Sequence, residues 1–238
     1  MSNWEILWYH LYPGLLLTAF FIGATSLLQG KGIPPQLILL LGIPLVIVPV
    51  MYFHLLHARK SENSKSIGSI VESYGNKLPF KRLAVYSLML VIFAFVVYGV
   101  TQPVNVWITG KLLFWLPDWY KIQSFEGYAG NIILITLIAN LILNGLVAPF
   151  IEEVYFRGYL LPRMTRYGKW APLMSTVLFS FYHFWQPQIY VTLIIALFPM
   201  VYYTWKTQDL RLAIYTHCGL NVIGALLSFA LIMQGGSS

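Results

Sequence analysis

Charge is what this sequence has least of. Only 10% of its 238 residues are Asp, Glu, Lys or Arg, while 58% are hydrophobic. A soluble domain carries about 25% charged residues, so that class is excluded and a polytopic membrane protein remains. Cysteine is nearly absent. Cys218 alone allows no internal disulfide framework and argues against a thiolate metal cluster. No His is followed by Glu, so a His-Glu-x-x-His metal site is missing. There is no Gly-x-Ser-x-Gly elbow, no phosphate-cradling glycine loop, and no internal repeat of the kind that paired transporter halves leave. The N-terminus lacks the basic stretch of a signal peptide, and the first apolar run reads as a retained span.

What is present is a series of apolar runs near the 18–25 residues that cross about 30 Å of hydrocarbon. They lie at about Trp8–Leu28, Leu37–Leu56, Leu83–Val104, Asn131 onward, Ala171–Trp185, Ile189–Trp205 and Leu212–Met233. The expected fold is an all-α transmembrane helical bundle of about seven spans. Leu113–Trp119 is too short to cross; with Pro117 and Tyr120 it reads as an interfacial or re-entrant piece, an eighth span being the alternative. The chain reads as one membrane domain over 1–238. Gly235 to Ser238 reads as a flexible end.

The net charge of +7 does not point to nucleic acid, because the basic residues fall in short connections. His57–Arg82 holds six, Arg157–Lys169 four, and Lys206 with Arg211 two. The alternate connections hold Lys31, Lys111 and Lys121, a split of 12 to 3. The positive-inside rule then puts the basic loops and the N-terminus in the cytoplasm.

Of the eight carboxylates, six (Glu5, Glu62, Glu72, Asp118, Glu126, Asp209) fall in termini or polar connections. Glu152 and Glu153 lie within the fourth apolar run. A charge at bilayer depth costs roughly 2.5–3.5 kcal/mol on insertion scales and usually marks a working site. Val154, Tyr155, Phe156, Tyr159 and Leu160 continue the apolar pattern past the pair. One long helix from about 131 to 161 is therefore expected, kinked by Pro149. The pair then lies about 12–15 Å below the cytoplasmic end.

Three patterns share that depth. Glu153 and Arg157 are four apart and pair on one helical face, leaving Glu152 for other work; the bland reading is a structural ion pair. Phe179 and His183 lie in the fifth run, with His183 about 18 Å from the basic connection; a packing histidine is the alternative. His217 and Asn221 are again four apart on one face, a donor pair for an oxyanion or ordinary interhelical hydrogen bonding. Glu152 and His183 can hold a water, the carboxylate acting as general base, while His217 and Asn221 stabilise the charge on the attacked carbonyl. That is amide hydrolysis without a nucleophilic side chain. A zinc version from Glu152, His183 and His217 uses much the same groups, and the sequence does not choose between them.

Glu-Glu-x-x-x-Arg (Glu152, Glu153, Arg157), Phe-x-x-x-His (Phe179, His183) and His-x-x-x-Asn (His217, Asn221) resemble the three motifs of the CAAX protease and bacteriocin-processing (CPBP, or Abi) family. Its best-known members are the type II CAAX prenyl endopeptidases. The resemblance spans about 131 to 225, the expected catalytic core. It implies an intramembrane protease near the cytoplasmic face, with Glu152 and His183 activating water and His217 and Asn221 forming the oxyanion site. Glu153, Arg157 and Phe179 support them, and no metal is required. It also implies a peptide or membrane-protein substrate, with a prenylated CAAX protein one candidate. Partners are then that substrate and the bilayer, with no nucleic acid. The location is integral and multi-pass, in the cell membrane if the source is prokaryotic. A non-proteolytic adaptor or bacteriocin-immunity protein that keeps the polar cluster is the competing reading, and a channel or transporter with a Glu/His proton relay is the third.

Overall fold

The computed structural model describes residues 1–71, 77–120 and 125–235. Glu72, Lys121 and residues 236–238 of the tail lie outside the described residues. Among these residues the structure is helical throughout. Its helices are α1 (Asn3–Leu28), α2 (Pro35–Ser61), the short α3 (Ile67–Val71), α4 (Phe80–Lys111), α5 (Gly130–Arg163), α6 (Ala171–Tyr182), α7 (Tyr190–Thr207) and α8 (Leu210–Gly235). All seven apolar runs form helices where expected. Six of them are long and apolar enough to cross a membrane, α7 with the preceding turn from Pro187 included.

The exception is α6. Its 12 residues rise about 18 Å, short of the thickness a span needs. The apolar sequence runs on to Trp185, but Pro187 disfavours helical geometry at the residue before it. Gln186 accordingly has φ −141° and ψ 58°, and His183 has already left the helix at φ −80°, ψ 54°. Past α4, the Leu113–Tyr120 stretch makes turns and one 3-10 turn at Asp118–Tyr120 rather than a span. At the N-terminus α1 begins earlier than expected. Ser2 and Glu5 form a reciprocal capping box, which carries Glu5 into the first turn.

Helix α5 is the long continuous run anticipated, and its departure from regularity is a widening rather than a simple bend. Asn140–Val147 and Val154–Leu160 are π-helical, as is Ile43–Ile47 in α2. Each π run stops two residues before a proline: Pro49, Pro149 and Pro162. A proline offers no N–H and its ring crowds the carbonyl four residues back. The preceding amide reaches one residue further instead: Ala148 N–H goes to the Leu143 carbonyl. Pro13, Pro103 and Pro199 sit in unwidened helix, so proline permits the π turn without dictating it.

Helix α6 packs between α1 and α7, and α8 packs against α4, α5 and α7. Gly14 lets α1 approach closely, because a Cβ there would overlap the Tyr182 carbonyl oxygen. The basic connections converge on one end of the bundle. Arg163 binds Glu62 with both forks (3.1 and 2.7 Å), Arg166 and Tyr167 reach the Asn3 side chain (2.6 and 2.7 Å), and Asp209 accepts the Leu78 amide (2.8 Å). Arg157, counted with those connections in the sequence, is instead fully buried.

Candidate functional site

The widening of α5 does local work. In a regular helix the Asn144 carbonyl accepts from Ala148, but that amide is taken by Leu143, and Pro149 has no N–H to offer. The carbonyl is left without a helical donor. Asn221 of α8 fills it, donating Nδ2–H at 2.9 Å. One member of the expected donor pair is thereby clasped to α5, with its second N–H left over.

Further along, Glu152 and Glu153 are both buried, at 6% and 0% exposure. They do different things. Glu153 Oε1 accepts from Arg157 Nη1 (3.2 Å), the anticipated pair, and also from His217 Nδ1 (2.7 Å). The Arg157 guanidinium lies 4.0 Å from the centre of the Phe179 ring, a cation–π contact inside a desolvated pocket. Glu152 makes none of these contacts. Its Oε1 accepts the hydroxyl of Tyr182 at 3.0 Å.

The imidazoles are fixed by what holds their Nδ1 atoms. His183 donates Nδ1–H to the Phe179 carbonyl at 2.9 Å, and His217 donates to Glu153. Each ring therefore turns Nε2 outward. Phe179 stands between them edge-on, its centre 4.8 Å from the ring of His183 and 6.0 Å from that of His217.

Glu152, His183, His217 and Asn221 all line one cavity of about 970 Å³, with Phe179 in its wall. Glu153 and Arg157 stand behind it. Cys218 takes no part: its Sγ lies against the Leu146 carbonyl at 3.9 Å. Among the described residues no three His, Cys, Asp or Glu side chains are close enough together to hold a metal ion. Glu152, His183 and His217 are therefore not such a group in this arrangement.

Two features were not read from the sequence. The link from Glu153 to His217 joins residues 64 apart, and no spacing rule announces it. Tyr182 adjoins His183 in the second motif, yet a tyrosine among Phe179, Phe181 and Trp185 reads as packing.

No curated protein and no solved structure matched the chain. Residues 134–223 match a family model described as Type II CAAX prenyl endopeptidase Rce1-like. At the family level the match supports a CAAX-type intramembrane endopeptidase. With six helices able to cross the bilayer, it also supports an integral, multi-pass membrane protein. The segment carrying Glu152, His183, His217 and Asn221 is thus similar to the Rce1-like type II CAAX prenyl endopeptidases.

Proposed function

We propose that the chain is a membrane-embedded endopeptidase in which Glu152 and His183 activate a water and His217 and Asn221 receive the oxyanion. The observation that carries this reading is that these four side chains, drawn from two helices and the end of a third, line a single cavity. Glu152 Oε2 and His183 Nε2 are both acceptors. A water lying between them donates one hydrogen to each, which turns its lone pair toward a substrate carbonyl. As the O–C bond forms, Glu152 takes the proton. When the C–N bond breaks, Glu152 returns it to the leaving amine.

The oxyanion then needs donors. The remaining Nδ2–H of Asn221 is one. His217 is the other, through the Nε2–H of its imidazolium, since its Nδ1–H is committed to Glu153. In this reading Glu153, itself held by Arg157, sets the posture of His217. Buried donors aimed at a developing charge are usually the largest single catalytic contribution. The basic end of the bundle faces the cytoplasm by the positive-inside rule, and Glu152 lies about 16 Å from that end. A protein or peptide carrying a prenylated cysteine is the first substrate to try.

The test uses purified chain in proteoliposomes with a quenched peptide bearing a farnesylated cysteine three residues from its C-terminus. Glu152→Gln and His183→Ala are each expected to cut kcat by 10²-fold or more while the variants stay folded. Chelation is expected to leave the rate unchanged. Cleavage that persists in either variant ends the proposal, and loss on chelation with recovery on adding zinc replaces the mechanism with the metal version.

A further inference from the structure

Unlike Glu152, His217 and Asn221, His183 stands just past the end of its helix, so helical hydrogen bonding alone does not fix it. Its φ of −80° and ψ of 54° are those of the central residue of an inverse γ-turn. The Phe184 amide closes that turn on the Tyr182 carbonyl at 2.9 Å. The His183 carbonyl in turn accepts the Gln186 amide at 2.9 Å, and the His183 amide reaches back to Ser180 at 3.2 Å. Two small turns in succession therefore carry the imidazole. Whether they keep their shape depends on what holds the carbonyls on either side.

Both are held from outside α6. On the near side, Gly14 of α1 presses on the Tyr182 carbonyl with no room for a Cβ between them. On the far side, the Phe184 carbonyl lacks its natural local donor, because the residue three further on is Pro187, which has no N–H. The hydroxyl of Tyr120 takes that place, donating at 2.6 Å, the short end of the range for such bonds. Tyr120 comes from the connection after α4, 64 residues away, and is itself well fixed. Its amide closes a 3-10 turn on the Pro117 carbonyl at 2.9 Å. Its ring lies 5.8 Å from that of the fully buried Phe21 and 5.9 Å from that of Trp119. Gly14 and Phe21 are seven apart and share one face of α1, so a single helix backs both sides of the turn.

We infer that Tyr120 is a positioning residue for His183. Its hydroxyl holds the Phe184 carbonyl, and with it the γ-turn that presents the imidazole to the cavity. Tyr120 lies outside the three motifs and outside the residues 134–223 that match the family model. The inference deepens the peptidase reading and rests on it for the effect on rate, whereas the clamp on the turn rests on geometry alone. A 1 Å misplacement of a reacting group costs roughly 10²-fold in rate, so a turn loosened by a fraction of that costs about ten-fold.

Tyr120→Phe keeps the ring against Phe21 and Trp119 and removes only the donor. In proteoliposomes with the farnesylated quenched peptide, kcat is expected to fall about ten-fold while KM stays within about two-fold of the parent value. Hydrogen exchange followed by mass spectrometry reads the turn itself. The stretch 182–186 is expected to exchange about ten-fold faster in the variant, with α1 and α8 unchanged. An unchanged kcat in an active chain, or unchanged exchange in that stretch, overturns the inference. Faster exchange throughout the chain also overturns it, since Tyr120 would then serve the fold at large rather than His183. If the parent chain cleaves no peptide and 182–186 still loosens in the variant, the peptidase reading fails and the clamp on the turn stands.

Discussion

On the proposed mechanism, the Tyr182 hydroxyl decides which Glu152 oxygen does chemistry. It occupies Glu152 Oε1, so Oε2 is the oxygen left to hold water. Hydrogen bonds to charged groups are worth roughly 1.5–3 kcal/mol. Tyr182→Phe keeps the ring against Phe156 and Trp185 and removes only the donor. A fall in kcat of about 10- to 100-fold with KM unchanged is expected from steady-state kinetics. An unchanged kcat would show the hydroxyl idle.

Asp209 works at the basic end. Burial alone raises its carboxyl, but the Arg211 guanidinium and the Leu78 and Arg211 amides outweigh burial and hold it below the ordinary 3.8. A carboxyl lowered by folding adds stability above that ordinary value and loses it as pH falls through the lower, folded one. Asp209→Asn should therefore cost about 1–3 kcal/mol near neutral pH. Thermal unfolding in detergent should show the gap from the parent chain closing below about pH 4. A gap that stays constant with pH would mean Asp209 acts through shape rather than charge.

At the scale of elements, the π turn ahead of Pro149 holds Asn221, the second half of the proposed donor pair. Pro149→Ala supplies the missing N–H and relieves a residue that costs about 3 kcal/mol in a helix interior. The Asn144 carbonyl can then be satisfied within α5, and Asn221 loses its partner. The expected result is unusual for a variant in this region: the midpoint of thermal unfolding holds or rises, while kcat drops about ten-fold or more. Loss of both, or of neither, would disconnect the widened turn from the site.

What the sequence disclosed about these elements follows from where physical rules are local. Glu152 and Glu153 stand out because carboxylates in an apolar run are rare, and the Glu153–Arg157 pair follows from helical spacing. The place of α5 and its proline disturbance were legible for the same reason. The widened form of the disturbance was not, since Pro13, Pro103 and Pro199 leave their helices regular. The early end of α6 had a signal in Gln186-Pro187, which hydropathy overrode because Phe184 and Trp185 prolong the apolar run. Long-range partners had none. Nothing in spacing says that Glu153 meets His217, or that Gly14 makes room for Tyr182.

For the molecule as a whole, the cavity that reaches Glu152 stops about two-thirds of the way along α5 and leaves a thin slab of protein beyond it, filled by the buried rings of Tyr155, Phe156, Phe179 and Tyr182. That remaining slab carries the buried ring cluster and the Arg157–Glu153–His217 chain. Titratable groups in a row are a ready path for protons, and four tightly packed aromatic rings are the insulation set against it. Vesicles holding the intact chain should keep an imposed pH difference as long as empty vesicles do. Faster collapse would mean the barrier leaks. On this account Phe156 and Phe179 keep the membrane's electrical charge from draining through a hole that chemistry requires.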